Sequence, residues 1–387
     1  MQNLYFGDRG LPVQYVQLEL SRAGYETRVD GIFGAETCEM LRRFLGEETC
    51  VVDQGAWQRL LPYLRGYERN GRGEIRQFDF PIVPENVAYS SMLTEAIVDG
   101  LQTRYPFLET GSIGSSVMGK PVFWIGIGRG ETQVFYNASF HANESITTPI
   151  LLKFAEDYAR AYIGGDNLLG IPATELFNRY RLFLVPMVNP DGVDLANGML
   201  RSGSYYRQAK RIGAEFPDIP FPTGWKANIE GVDLNLQFPA GWENAKEIKY
   251  AMGYDRPAPR DYVGSAPLAA PESRAVYDFT RTHRFSLILA YHTQGQVIYW
   301  KYLDYEPKDS YAIAQYFGEV SGYTVEETPT ESGYAGYKDW FIQDYNRPGY
   351  TIEAGEGENP LPMTQFSKIY EENIGILVGG MTQLEGK

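Results

Sequence analysis

The apolar run from Phe285 to Tyr291, closed by His292, constrains the fold most. A nearly continuous run of this kind suits a strand covered on both faces, which is the environment inside a sheet flanked by helices. The rest of the chain from Phe78 onward agrees with that reading. Helical patterns at residues 91–105, 146–163, 271–282, 310–322, 338–344 and 366–384 alternate with strand-like segments at 121–127, 133–140, 180–188 and 349–354. Strands interleaved with helices predict one α/β domain, a mixed sheet with helices on its faces.

The 387 residues have room for a second unit. Residues 1–67 read as three short helices at 11–23, 35–45 and 54–64, with Gly24 as a stop and Asp30-Gly31-Ile32-Phe33-Gly34 as a turn. Residues 68–77 are polar, contain Gly71 and Gly73, and read as a linker to the domain at 78–387. Cys38 and Cys50 are expected to be ordinary free thiols, because disulfide frameworks in small domains use more cysteines. The net charge of -14 argues against nucleic acid, since phosphate binding needs clustered Lys and Arg. No apolar run is long enough for a membrane span. The first ten residues lack the basic-then-apolar pattern of a leader. Gln2-Asn3-Leu4-Tyr5-Phe6-Gly7 has the look of a protease-tag scar or of native sequence. A cytoplasmic location and a cell-wall or spore-associated one both stay open.

The chain has three histidines, His141, His283 and His292. His141-Ala142-Asn143-Glu144 follows a strand-like segment and precedes a helical one, so imidazole and carboxylate point the same way across one turn. His292 ends the apolar strand. Both histidines are therefore expected at the carboxyl ends of strands, where α/β sheets bind ligands. Two His and one Glu form a donor set used by catalytic zinc. His283 precedes its strand and belongs at the opposite end.

His141-Ala142-Asn143-Glu144, Asn189-Pro190-Asp191-Gly192-Val193, Gly231-Val232-Asp233-Leu234-Asn235, Tyr291-His292 and Tyr350-Thr351-Ile352-Glu353 stand in the order seen in zinc carboxypeptidases, which the chain resembles from about Phe78 onward. The resemblance implies that His141, Glu144 and His292 hold one zinc ion and that Glu353 is the general base. It also implies Arg207 as the group that polarises the substrate carbonyl, with Arg201 and Arg211 as neighbouring alternatives, and Asn235 as a substrate contact. The family's mobile tyrosine falls in Ser332-Gly333-Tyr334-Ala335-Gly336-Tyr337-Lys338-Asp339-Trp340, which leaves Tyr334 and Tyr337 both open.

Two departures point away from ordinary carboxypeptidase activity. Digestive members follow the substrate-contacting asparagine with an arginine that clamps the terminal carboxylate; here Leu236 stands there and cannot make that bidentate contact. Asn143 replaces a second family arginine. At the N-terminus, Gly7-Asp8-Arg9-Gly10, Val16-Gln17, Gly24-Tyr25 and Asp30-Gly31-Ile32-Phe33-Gly34 resemble a three-helix peptidoglycan-binding domain. Together the resemblances imply the γ-D-glutamyl-L-diamino acid endopeptidase branch, acting on peptidoglycan or muropeptides, with the N-terminal helices serving as a tether. Alternatives are a carboxypeptidase of ordinary peptides and a non-catalytic wall-binding protein.

Overall fold

The structure, a computed structural model, describes residues 3–384, so Gln2 of the tag-like segment and the expected outer domain limits at 1 and 387 lie outside the described residues. Its centre is an eight-stranded mixed sheet. In chain order the strands are β1 (Glu109–Ser115), β2 (Pro121–Ile127), β3 (Thr132–Ala138), β4 (Tyr180–Val185), β5 (Phe285–His292), β6 (Val297–Tyr299), β7 (Thr324–Glu326) and β8 (Gly349–Glu353). Across the sheet they lie in the order β7-β6-β8-β5-β3-β4-β2-β1. The inner strands β8, β5, β3 and β4 run parallel, so their carboxyl ends share one edge.

Side chains of a strand alternate between faces, and the two faces enter two cores. Val134 and Tyr136 of β3 and Leu287, Leu289 and Tyr291 of β5 pack with residues of the helices Thr147–Gly164 and Phe366–Thr382. Phe135, Ile288 and Ala290 pack on the other face against Val276, Trp340 and Phe341 from the helices Pro271–Arg281 and Tyr337–Tyr345. Each fully buried large side chain contributes about 1.5–3 kcal/mol relative to exposure. The same alternation puts His292 on the face of Ile288 and Ala290, and Glu353 on the face of Thr351.

The N-terminal helices are α1 (Leu11–Arg22), α2 (Ala35–Leu45) and α3 (Gln54–Arg65), close to expectation. They have their own small core around Val16, Leu41, Trp57 and Leu60. Leu4–Tyr5 pairs with Val51–Val52, and Leu4 is buried, so the tag-like segment is part of this packing. Cys38 and Cys50 are joined in a disulfide, against the free-thiol expectation. The left-handed Gly46 ends α2 and turns the chain back, which brings the two Cα atoms within 5.2 Å.

The segment expected to be a linker instead forms a hairpin, Tyr67–Arg69 with Ile75–Gln77. Its turn is closed by the Asn70 side-chain oxygen, which accepts the N–H groups of Arg72 and Glu74 at 2.9 and 3.0 Å. Beyond it the module is stapled to the larger domain. Arg22 donates to the carbonyls of Tyr63, Pro81 and Ile82, while the Glu156 carboxylate accepts the N–H groups of Ile82 and Val83. The Tyr15 hydroxyl reaches the Ala88 carbonyl and Ser90 Oγ at the start of helix α4 (Ser91–Arg104). Helices α3 and α4 approach so closely that a Cβ on Gly100 would lie 2.0 Å from the Arg65 carbonyl oxygen.

Candidate active site

Four parallel strand ends converge on one place. The chain leaves β3 through Ser139 in the left-handed region (φ 51°), held by its N–H donating to Thr147 Oγ1 at 3.0 Å. His141 then starts a short 3-10 turn, Ala142–Glu144, which folds Glu144 back beside it. His292 and Glu353, the last residues of β5 and β8, are Cα partners in the parallel register. Asn189, just past β4, donates to the carbonyls of Phe140 and Ala227 and so stitches two loops together. A Cβ on Gly192 would sit 2.6 Å from the Ala227 carbonyl oxygen, which accounts for the glycine in that motif.

His141 Nδ1 lies 2.9 Å from one Glu144 oxygen, His292 Nδ1 lies 3.0 Å from the other, and the two Nδ1 atoms face each other at 3.0 Å. All three side chains are buried. His141 Nε2 meets Asp233 Oδ1 at 3.2 Å. A carboxylate can only accept there, so an Nε2–H donated to Asp233 would leave the Nδ1 lone pair turned toward His292 and Glu144, as ligation of a cation requires. Two imidazole nitrogens and a carboxylate aimed at one point, with a carboxylate behind one ring, are the donor set and outer support of a zinc ligand site. His141, Glu144 and His292 are the one such group found among the described residues.

The electrostatics fit a cation. Burial opposes ionisation of Glu144, yet His141 and His292 hold its carboxyl well below the usual range. Asp233 is lowered likewise against burial, chiefly by His141. Burial lowers His292. Burial, and then the Glu144 charge, pushes the half-buried Glu353 carboxyl up to about 8. A divalent ion among these groups would reverse that last balance, because opposite charge favours the carboxylate.

The family model for zinc carboxypeptidases matches residues 94–375. The chain belongs to the zinc carboxypeptidase family. Over 303 residues it is 46% identical to gamma-D-glutamyl-L-diamino acid endopeptidase 1 of Lysinibacillus sphaericus, covering 77% of this chain and 72% of that protein. It is 41% identical over 299 residues to the protein YqgT of Bacillus subtilis (strain 168), covering 76% and 77% of the two. Among solved structures, thrombin activatable fibrinolysis inhibitor superposes with a TM-score of 0.61 at 19% identity, over 78% of this chain and 75% of that one, a likeness of fold. This zinc carboxypeptidase is thus a zinc metallopeptidase, and no helix among its described residues is long and apolar enough to cross a membrane.

Around the ligands lies a cleft in two compartments. One, about 120 Å³, is lined by Asn235, Leu236, Lys249, Lys338 and Asp339; the other, about 490 Å³, by Asn143, Arg260, Thr293 and Glu358. Lys226, Tyr299 and Glu353 line both and mark the boundary. Glu353 therefore lies at this boundary, beside the ligands. Asn235 also lines the cleft, its Nδ2 3.5 Å from His292 Nε2 and its Oδ1 accepting the Tyr337 N–H.

Arg207 is not among the residues lining this cleft. It sits exposed on the helix Gly203–Ala214 and lines neither compartment, nor do Arg201 and Arg211. The cation at the boundary is Lys226, whose side chain the sequence reading missed. Its backbone is fixed beside the ligands: the Lys226 carbonyl accepts from the Ala142 N–H, and its own N–H donates to the Pro259 carbonyl. Burial would lower its ammonium, but Asp233 and Glu144 hold it raised and charged.

Neither expected tyrosine faces the ligands. Tyr337 is fully buried, stacks near Phe140 and bonds Thr280 Oγ1. Tyr334 packs over Gly241 and lines a separate small pocket with Lys301 and Tyr302. Tyr299 on β6 is the tyrosine at the boundary, placed there by its register with Thr351. His283 is bonded to the Phe279 carbonyl at the far end of β5, as expected.

Proposed function

We propose that this zinc carboxypeptidase hydrolyses the γ-D-glutamyl–diaminopimelate bond of peptidoglycan stem peptides. One observation carries the reading, the pocket beyond Asn235. A carboxypeptidase needs a cation there for the terminal carboxylate, but the place is taken by Leu236. Two buried ion pairs line the pocket instead, Lys249–Asp261 at 2.7 Å and Lys338–Asp339 at 2.6 Å. A diamino acid ending in both an ammonium and a carboxylate meets both signs of charge in such a pocket. On the other side of the boundary, a γ-linked glutamyl group leaves its α-carboxylate free, and Arg260 lines that wall. The Lysinibacillus relative, by its name, acts on this class of bond.

A zinc ion held by His141, Glu144 and His292 would supply a Lewis acid and would lower the pKa of a water from about 15.7 to about 7. Glu353 takes the proton as the water oxygen adds to the carbonyl carbon, and returns it to the leaving nitrogen as the C–N bond breaks. Lys226 faces the oxygen on which negative charge develops, the role expected of Arg207. Asp233 acts through His141 by fixing its tautomer and orientation.

Mass spectrometry of a stem tetrapeptide digested by the zinc-loaded chain tests the reading. Release of alanyl-glutamate on the N-terminal side is the expected result. Cleavage only beyond the diamino acid, or faster turnover of a hippuryl dipeptide, refutes it.

A further inference from the structure

A third depression continues the cleft away from the Asn235 pocket. It is a groove of about 420 Å³, within the range of about 300–1,000 Å³ typical of small-ligand sites. Its far wall is helix α1 of the N-terminal module, through Leu11 and Gln14. Its near end touches the catalytic cleft along three separate stretches of chain. Asn143 lines both, Thr223 of the groove adjoins Gly224 of the cleft, and Pro360 adjoins Asn359. The side-chain oxygen of Asn143, at this junction, is buried without a hydrogen-bond partner, as an acceptor awaiting a donor would be.

The groove carries no charged side chain among its lining residues. Amides such as Gln14, Asn86 and Asn143 alternate with aliphatic groups such as Ala88, Leu361 and Met363. That combination suits a neutral, polar ligand with methyl-sized apolar patches. Gln14 is held firmly in place, since its neighbour Tyr15 is bonded to Ala88 and Ser90 of the catalytic body.

We infer that the N-terminal module is one wall of the substrate cleft, and that the groove beside α1 receives the N-acetylmuramoyl end of the stem peptide. The inference rests on the stem-peptide reading above. In that reading the scissile bond lies between Glu353 and Lys226, the diamino acid fills the Asn235 pocket, and the glutamyl group lies along the Asn143 side. The next groups toward the N-terminus are an alanyl unit and a lactyl-linked N-acetylated sugar, all uncharged. The direction, the continuity at Asn143 and the neutral lining all lead to that occupant. The module then acts by shape at fixed distance, as part of the binding site, in place of a tether.

Calorimetric titration of the zinc-loaded full chain tests this with two probes, N-acetylmuramoyl-L-alanyl-D-glutamate and L-alanyl-D-glutamate. The sugar-bearing probe is expected to bind at least about tenfold tighter, equivalent to about 1.4 kcal/mol. The margin is expected to vanish in Gln14→Trp on the module and in Thr223→Trp on the opposite wall. Equal binding of both probes by the native chain overturns the inference, as does a margin that survives both substitutions. The tetrapeptide digest separates the two claims: a chain that prefers the muramoyl probe but leaves the γ-glutamyl bond intact keeps the groove and loses the substrate reading. A chain that cuts the bond yet binds the probes equally does the reverse.

Discussion

The pocket beyond Asn235 and the groove beside α1 both adjoin the compartment lined by Asn143 and Arg260, yet one is built from paired charges and the other from amides and aliphatic groups. In the pocket, Lys338 and Asp339 are both buried, and each depends on the other to offset its lost hydration. In the groove nothing has to be neutralised, and affinity must come from fit and hydrogen bonds. The contrast teaches that the cleft is polarised along its length. It expects a substrate charged at one end and neutral at the other, with the chemistry where the two meet.

Breaking the charged end should give the largest effect. Lys338→Met leaves Asp339 buried without its partner, which costs about 3–5 kcal/mol of stability. Thermal denaturation should show it, and adding Asp339→Asn should recover most of the stability while the KM for the diamino acid substrate stays high. Recovery of KM together with stability would remove the pocket's role in recognition. The boundary comes next. Lys226→Ala should lower kcat on the order of 10²–10³-fold, equivalent to about 2.7–4 kcal/mol, for substrates with and without the sugar. Arg207→Ala should change it less than about twofold, since exposed positions away from a site are usually near neutral. Steady-state kinetics on the two variants would reverse the assignment if Arg207 proved the costly one.

The smallest effect belongs to the neutral end. Gly100→Ala forces a methyl group into the Arg65 carbonyl, where α3 rests on α4, and overpacking of this kind costs about 1–3 kcal/mol. The shifted module should raise KM for a muramoyl-linked stem more than for the free stem. Equal changes in both would blunt the contrast between the two ends.

The metal ligands were legible because strand ends are. His141 and His292 each follow an apolar run, with Glu144 one turn beyond His141, and a parallel sheet brings such ends to one edge whatever the loops do. Asp233 lay inside a recognised motif but gave no sign of its task, which exists only through contact with a histidine 92 residues away. Lys226 sits in an irregular loop whose path is set by bonds to Ala142 and Pro259, so no local pattern marks it. Arg207 had a fitting local motif, and the structure leaves it exposed on its helix. Tyr299 outranks Tyr334 and Tyr337 for a similar reason: register on β6, rather than a glycine-rich neighbourhood, places it at the boundary.

The sequence by itself determined the layered α/β body, the three N-terminal helices and the placing of two histidines at strand ends, because periodicity acts locally and survives any arrangement of loops. The grouping of those histidines with Glu144 and Glu353 came from the order of the family's motifs. Only the tertiary structure decided that Cys38 and Cys50 join, that Lys226 stands at the boundary of the two compartments and that helix α1 lines the groove beside them. Those outcomes depend on contacts between segments distant in the chain, which are settled by close packing and by where buried backbone groups find their partners.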